Sequence, residues 1–169
     1  SEVRQGSTLP TILDQAGFSQ DSSKEIKELF GTDVFEFPKP LKLCKTLLTL
    51  GSSDGDIVLD FFAGSGSLFH ALFEMGADNL GTRKFLSVQI GEKISDEKSE
   101  AYKAGFRKIS EITCERLRKV SNRIEKKERL LTETPVDIGF RCFELTFSNF
   151  RACSDYEGID LDELRGLLH

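Results

Sequence analysis

An apolar run that leads directly into a glycine-rich turn constrains the fold of this chain more than any other feature. Residues 57–62 are apolar except for Asp60, and the turn that follows contains Gly64 and Gly66. Such a run is typical of a central parallel strand covered on both faces, and we expect a helix over 68–75 after the turn. The pattern therefore predicts an α/β fold with a binding site beyond the carboxyl end of this strand.

The polar groups at this turn favour one class of cofactor. A carboxylate such as Asp60 near the strand end would repel a pyrophosphate, but it can attract a sulfonium or an amino group. The dinucleotide fingerprint needs a third small residue where Phe69 stands, and no G-x-x-x-x-G-K-[ST] motif occurs. The sequence therefore predicts S-adenosylmethionine rather than NAD or ATP. A glycine pair alone also occurs in turns for purely steric reasons.

Composition and charge are those of an ordinary globular domain. The chain has 169 residues, of which 38% are hydrophobic and 30% are charged, which suits one domain with a real core. A formal charge of -5 argues against a general electrostatic grip on nucleic acid. Ten basic residues, Arg116 among them, nevertheless lie between 103 and 129 against four acidic ones, which predicts a local basic face.

The cysteines and the apolar segments bear on the cellular compartment. Cys44, Cys114, Cys142 and Cys153 are widely spaced and form no C-x-x-C pair, so we expect reduced, mostly buried thiols and no metal site. No basic region followed by an apolar stretch opens the chain, and no run of about 18 apolar residues occurs. We expect a cytoplasmic chain without membrane contact.

Local signals predict the remaining elements. Before the strand described above we expect two helices, one over 24–30 capped by Ser22 or Ser23 and stopped by Gly31, and one over 41–50 begun at Pro38 or Pro40 and ended by Gly51. After the helix over 68–75 we expect a buried strand over 84–90, a loop over 91–99 and an amphipathic helix over 101–131 that is broken near Gly105. A strand over 140–147 and a helix over 160–168 should follow. The strand, helix, strand unit predicts a right-handed crossover between parallel neighbours. On the long helix, apolar residues recur at helical spacing, so basic side chains should line the opposite face.

With these segments assembled, the chain resembles the amino-methylating DNA methyltransferases, specifically the modification subunits of type III restriction-modification systems. Residues 60–67 (DFFAGSGS) are similar to the cofactor signature D-P-F-x-G-S-G-T of that family. Residues 35–41 (FEFPKPL) resemble its F-x-x-P-K-P element, and 83–89 (RKFLSVQ) resemble its R-K-F-I-x-V-Q strand. Weaker similarity continues in the family's order, so the resemblance covers about 7–150.

The resemblance implies a Rossmann-like, S-adenosylmethionine-dependent methyltransferase fold, incomplete here, with a mostly parallel sheet flanked by helices. It implies that Asp60 accepts from the methionine ammonium of the cofactor, that the amides of 63–66 form a cradle, and that Lys39 approaches the methionine carboxylate. Gln89, with Glu92 as a substitute, stands where an acidic residue usually meets the ribose. The cofactor-binding residues expected on this basis are Pro38, Lys39, Pro40, Asp60, Phe61, Phe62, Ala63, Gly64, Ser65, Gly66, Ser67, Gln89 and Glu92.

The same resemblance divides the chain into three regions. We expect an irregular N-terminal segment over 1–20, the S-adenosylmethionine-binding part of a methyltransferase domain over 21–150, and a C-terminal extension over 151–169. The extension departs from the family pattern, and we assign it no function.

One catalytic element of the family is not in this sequence. Amino methylation uses a [DNS]-P-P-[YFW] loop, which accepts from the exocyclic amine and stacks on the extruded base. The four prolines, Pro10, Pro38, Pro40 and Pro135, include no adjacent pair. In the family's order this loop precedes the cofactor signature, so we expect it upstream of Ser1. We expect the chain to be inactive alone, as part of an adenine-N6 methyltransferase whose partners are DNA, a restriction subunit and a second copy.

Two alternatives remain open at this point. The chain could be a non-catalytic assembly or regulatory subunit that keeps a methyltransferase-like fold, with the basic helix docking a partner rather than DNA. It could also belong to a methyltransferase for RNA or another substrate, because a fold alone does not fix the substrate.

Overall fold

A computed structural model describes residues 17–128 and 138–146. In chain order the elements are α1 (Ser19–Phe30), α2 (Leu41–Gly51), β1 (Ile57–Asp60), α3 (Ser67–Ala77), β2 (Lys84–Ser87), α4 (Glu100–Lys103) and α5 (Ile109–Glu128). A small parallel sheet packs against helices, which confirms the α/β class at this coarse level. The predicted helix over 160–168 lies outside the described residues.

The two strands form a parallel pair, as predicted. Ile57 lies opposite Lys84, and Asp60 lies opposite Ser87. The pairing continues beyond the strands, because the Val88 amide donates to the Asp60 carbonyl at 2.8 Å. The carboxyl ends of β1 and β2 therefore lie side by side, which is where a parallel α/β sheet binds its ligands.

Helix α3 is the centre of the hydrophobic core. Its apolar residues are buried on most sides, since α2, α5 and the inner face of the sheet all pack around it. From the sheet, Val58 and Phe85 contact this core, and the Phe85 ring lies 4.7 Å from that of Phe69 and 5.6 Å from that of Phe73. Each large apolar side chain buried in this way stabilises the fold by about 1.5–3 kcal/mol.

The outer face of the sheet is exposed, which corrects the prediction of a strand covered on both faces. On β1, Ile57 and Leu59 are 65% and 47% exposed, and on β2 Leu86 is 59% exposed. Val88 and Ile90 continue this apolar surface. Within the described residues, the helices that pack on the sheet do so through its inner face, so the outer apolar side chains meet no covering layer there.

Helix α1 ends at its predicted stop but begins earlier than predicted. Gly31 adopts a left-handed φ of 81° after α1, and Gly105 does so, with a φ of 97°, between α4 and α5. Helix α1 begins at Ser19, before the predicted caps and inside the segment expected to be irregular. The cause is local: the Phe18 amide donates to the Asp21 carboxylate at 2.9 Å, while the Ser22 hydroxyl donates back to the Ser19 carbonyl.

Three further expectations are corrected. Residues 138–146 form no regular element, so the strand over 140–147 is wrong for its described part, where Phe143 and Leu145 are exposed and pair with no strand. Arg116 does not join the basic face of α5, because its side chain is fully buried. Among the described cysteines only Cys44 is buried, whereas Cys142 is exposed.

Candidate functional site

The glycine loop, defined here as residues 61–66, joins β1 to α3 and forms the carboxyl edge of the site. At its start, a carboxylate oxygen of Asp60 accepts from the Phe62 amide at 2.9 Å. Gly64 and Gly66 have φ values of 52° and 76°, a left-handed conformation that side chains disfavour. A Cβ at Gly66 would also lie 3.2 Å from the Thr113 Cγ2 methyl, so the turn and the close approach of α5 both require glycine there.

Most amides of the glycine loop are already bonded within the protein. The Ala63 amide donates to the Val88 carbonyl at 3.2 Å, and the Gly66 amide donates to the Ala63 carbonyl at 2.7 Å. The Gly64 amide donates to the Gln89 side-chain oxygen at 2.8 Å. The structure thus shows Gln89 supporting the loop, while its ribose contact and the amide cradle stay predictions.

The F-x-x-P-K-P-like segment lies beside the glycine loop. A Cβ built on Gly64 would lie 3.5 Å from the Phe35 ring, so the two segments lie next to each other. Pro38 is buried and Pro40 precedes α2 as its N-cap, whereas Lys39 is exposed. The structure therefore brings this segment and the loop together, while leaving the lysine in solvent.

Other predicted residues lie at the open edge of the site. Phe61 and Phe62 are 60% and 83% exposed. Glu92 is exposed as well, and its carbonyl accepts from the Ile109 amide at the start of α5. A groove of about 560 Å³ between α1, α2 and α3 is lined by Glu25, Leu41, Lys42, Lys45, Thr46, Thr49, Leu50 and Glu74, none of which was predicted.

A buried guanidinium underlies the glycine loop, and sequence reasoning missed it. Nη1 of Arg116 donates to the hydroxyls of Ser65 at 3.0 Å and Ser67 at 2.8 Å. These three side chains are buried, with Arg116 at 0% exposure. Burial lowers the pKa of Arg116 to about 10, so the group stays charged at neutral pH. The glycine loop is therefore hydrogen-bonded to a guanidinium group that is positively charged at neutral pH.

His70 completes this buried network in its neutral form. Burial lowers the pKa of His70 to about 4, against an ordinary value of 6.5. Its Nδ1 accepts from Nε of Arg116 at 3.1 Å, so the single ring proton belongs on Nε2 and is donated to Glu74 at 3.2 Å. Burial alone would raise the pKa of Glu74, but the hydrogen bonds from His70 and from Lys45 lower it to about 2.

Helix α5 contacts the glycine loop at a second position. The Thr113 hydroxyl donates to the Gly64 carbonyl at 2.5 Å. Thr113 and Arg116 are three residues apart and so share one face of the helix. Together with Gln89 on the opposite flank, this face holds the loop from two sides.

The geometry of a glycine loop between parallel strand and helix, with a carboxylate at the strand end, can be set beside known families. The sequence profile of a DNA methylase family matches residues 3–108, which is more than half of the chain. The chain belongs to this DNA methylase family. The matched stretch contains Asp60 and the whole glycine loop but ends immediately before α5.

Three individual relatives agree with this assignment. The Mod subunit of the type III restriction-modification enzyme StyLTI from Salmonella typhimurium is 31% identical over 156 residues, covering 92% of this chain and 23% of the relative. The type III EcoPI Mod subunit of Escherichia phage P1 is 37% identical over 131 residues, which are 78% and 19% of the two chains. The type II methyltransferase M.KpnI of Klebsiella pneumoniae is 36% identical over 109 residues, which cover 64% of this chain and 26% of the relative.

These relatives confirm the resemblance to type III modification subunits. They are also much longer than this chain, which spans about a fifth to a quarter of their length.

Within the described residues, no helix is both long and apolar enough to span a membrane. No cluster of three His, Cys, Asp or Glu side chains suited to a metal ion occurs in the same part of the chain.

Proposed function

We propose that this chain is the S-adenosylmethionine-binding part of a DNA methyltransferase that methylates N6 of adenine in a restriction-modification system. The observation that carries the proposal is Asp60, half-buried at the carboxyl end of β1 and directly before the glycine loop. A carboxylate there can accept from an ammonium group, and the two glycines let a ligand approach the backbone closely. Membership of the DNA methylase family and the similarity to Mod subunits support the same reaction class.

The donors and acceptors of this edge fit the proposed cofactor. When bound, S-adenosylmethionine supplies a methyl group attached to a cationic sulfur. Asp60 would accept from its ammonium, and the exposed Lys39 could pair with its carboxylate. The Phe35 ring lies next to Gly64, so the segment that carries Lys39 runs beside the same edge. Gln89 already holds the Gly64 amide and so would act on the ribose only after releasing it.

We further propose that β1 and β2 belong to a larger, mostly parallel Rossmann-like sheet. Parallel sheets are normally covered on both faces. The exposed Ile57, Leu59 and Leu86 therefore suit the packing of additional structure on the outer face. We assign this position to a polypeptide segment that carries the [DNS]-P-P-[YFW] loop, and DNA, a restriction subunit and a second copy to the complete enzyme.

Calorimetric titration with S-adenosylmethionine and S-adenosylhomocysteine tests the cofactor assignment. Asp60→Asn should weaken saturable binding by about tenfold or more, because one charge-assisted hydrogen bond is lost. Asp78→Asn is the matched control, since Asp78 follows α3 and pairs with Lys45 at 3.6 Å, away from the loop. Equal affinities of the wild-type chain and the Asp60 variant would remove Asp60 from the site.

Methyl transfer provides a separate test of the need for the [DNS]-P-P-[YFW] loop. We expect this chain alone to incorporate no labelled methyl into DNA. Incorporation should appear when a polypeptide that carries the [DNS]-P-P-[YFW] loop is added. The expected reason is positioning, since transfer between bound methyl donor and amine needs little further covalent help. Labelled DNA produced by this chain without a partner polypeptide would contradict the proposal.

One observation favours a second candidate function, that of a non-catalytic assembly module. The amides of Ala63, Gly64 and Gly66 are already bonded inside the protein, as expected of a loop with a purely structural role. Such a module would use the exposed outer face without binding cofactor. Absence of any heat signal with either ligand, even when a polypeptide that carries the [DNS]-P-P-[YFW] loop is tightly bound to the chain, would decide for it.

A further inference from the structure

The glycine loop has a charged support that stability alone does not explain. Arg116 is entirely buried, yet its nearest carboxylate oxygen, on Glu25, lies 3.9 Å from Nη2. In the described part of the chain neither of these two atoms has a hydrogen-bond partner. A buried charge whose one ion pair is as long as 3.9 Å is costly, and apolar side chains of similar volume often serve stability as well or better.

The hydrogen bonds that Arg116 does make are directed at the loop and its helix. Nη1 reaches both the Ser65 and Ser67 hydroxyls, and the Ser65 carbonyl lies at 3.4 Å. The two hydroxyls are 3.0 Å apart, so one donates to the other while both accept from the guanidinium. Nε of Arg116 donates to Nδ1 of His70, which fixes the plane of the guanidinium group. These hydrogen bonds therefore fix the side-chain rotamers of Ser65, Ser67 and His70 and the backbone around Gly66.

An arginine suits this role better than a lysine. The guanidinium offers donors in a rigid planar fork, whereas an ammonium is a point charge on a flexible stem. Here one nitrogen serves two hydroxyls while the neighbouring Nε serves an imidazole, an arrangement that an ammonium cannot reproduce. The shape of the fork matters as well as its charge.

We propose that Arg116 is a positioning residue for the cofactor, acting through Ser65 and Ser67 to hold the glycine loop in its binding shape. This inference rests on the proposed function, because it assigns the loop to S-adenosylmethionine. Arg116 itself does not touch the cofactor. Thr113 assists from the same helix face by holding the Gly64 carbonyl.

Hydrogen exchange and calorimetry on the full chain test this proposal with two variants, Arg116→Lys and Arg116→Met. Exchange is followed in the ligand-free protein for the loop peptide 61–68 and for the α2 peptide 43–50. We expect both variants to speed exchange in the loop peptide by about tenfold while α2 is unchanged, and to weaken S-adenosylhomocysteine binding by about tenfold. The lysine variant should not restore either property.

Arg118 provides the matched control on the same helix. Its side chain is 57% exposed and pairs with Glu115 at 3.7 Å, so Arg118→Lys and Arg118→Met should leave exchange and affinity unchanged. Ser65→Ala with Ser67→Ala removes the acceptors while keeping the buried cation, and it should loosen the loop peptide in the same way. This second route remains available if the Arg116 variants fail to fold.

The outcomes separate the positioning role from the proposed function. Wild-type binding with no change of affinity in Arg116→Met overturns the positioning role and leaves the cofactor assignment intact. Faster loop exchange in a chain that never binds cofactor overturns the cofactor assignment, and with it the role of Arg116 toward that ligand. Equal loosening of the loop and α2 peptides overturns the proposal too, because Arg116 would then support the whole fold.

Discussion

The imidazole of His70 lies between two guanidinium groups. Nε of Arg116 donates to one ring nitrogen, and Nη2 of Arg123 lies 3.0 Å from the other. The same Arg123 nitrogen donates to the Glu74 carboxylate at 2.7 Å. A second proton on His70 would thus break the Arg116 bond and place three cations in a row, with Glu74 as the neighbouring anion.

This arrangement predicts a loss of stability in mild acid. The pKa of His70 is about 4 in the folded chain and 6.5 in the absence of burial, so the unfolded state takes up the proton first. The free energy of unfolding should fall as the pH drops from about 6.5 to about 4, by up to about 3 kcal/mol. Urea unfolding between pH 4 and pH 7 measures this.

His70→Asn is the matched variant for that experiment. Asparagine can still offer an oxygen to Arg116 near the position of Nδ1, but it does not titrate in this range. We expect a shallower decline of stability with falling pH than in the wild-type chain. Identical pH slopes for the two proteins would show that His70 is not the group responsible.

Single residues also mark where sequence reasoning stops. Asp60, Gly64 and Gly66 could be singled out because strand, turn and helix are contiguous in the chain. Arg116 was assigned to a solvated face because its neighbours on α5 are basic, and the partners that bury it lie 46 to 51 residues away. Helical spacing does distinguish this arginine from Arg118, because Arg116 lies four residues from both Ile112 and Val120 and so belongs to the apolar face of α5.

At the scale of elements, the turn between β1 and α3 depends on its glycine conformation and on the closeness of α5. Gly66→Ala should destabilise the chain by about 2 kcal/mol for two reasons. The left-handed backbone conformation costs about 1 kcal/mol for alanine, and the added Cβ is crowded against Thr113. Gly55→Ala separates the two effects, since Gly55 has a φ of 83° but no atom within 4 Å of an added Cβ. Denaturant unfolding should give the larger loss at Gly66, and equal losses would exclude the contact with Thr113 as a cause.

The segment 138–146 is linked to α5 through a pair of thiols. The sulfurs of Cys114 and Cys142 are 3.1 Å apart, and burial followed by the hydrogen bond with Cys142 raises the pKa of Cys114 to about 11. We expect diamide, which takes up two electrons and two protons, to join these cysteines, with the exposed Cys142 reacting first. Peptide mapping by mass spectrometry should find this link in a Cys153→Ser chain and lose it in Cys142→Ser. Cys44 is buried and should remain reduced.

Elements with a strong local signal were predictable, and those that need a distant partner were not. The stops at Gly31 and Gly51 follow from glycine after an apolar-periodic run. The strand over 140–147 failed because alternating apolar residues need a neighbouring strand, and the described residues provide none there. The loop contact of Gln89 depends on the parallel register that places it beside Gly64.

At the scale of the whole molecule, the two faces of the sheet should respond differently to the same change. Val58→Thr places a hydroxyl against the core and should cost about 1–2 kcal/mol. Val88→Thr makes the same replacement on the exposed outer surface and should stay within about 0.5 kcal/mol. Urea unfolding of both variants checks this, and a comparable loss from Val88→Thr would mean that the outer surface is covered in solution.

The dependence of the glycine loop on α5 also has a consequence in time. Polypeptides are made from the N-terminus, and Ser65 precedes Arg116 by 51 residues. At a synthesis rate of about 5–20 residues per second, the loop leaves the ribosome several seconds before its guanidinium does. A nascent chain that ended at residue 108, where the family match stops, would carry every predicted cofactor residue and still lack the helix that sets their shape.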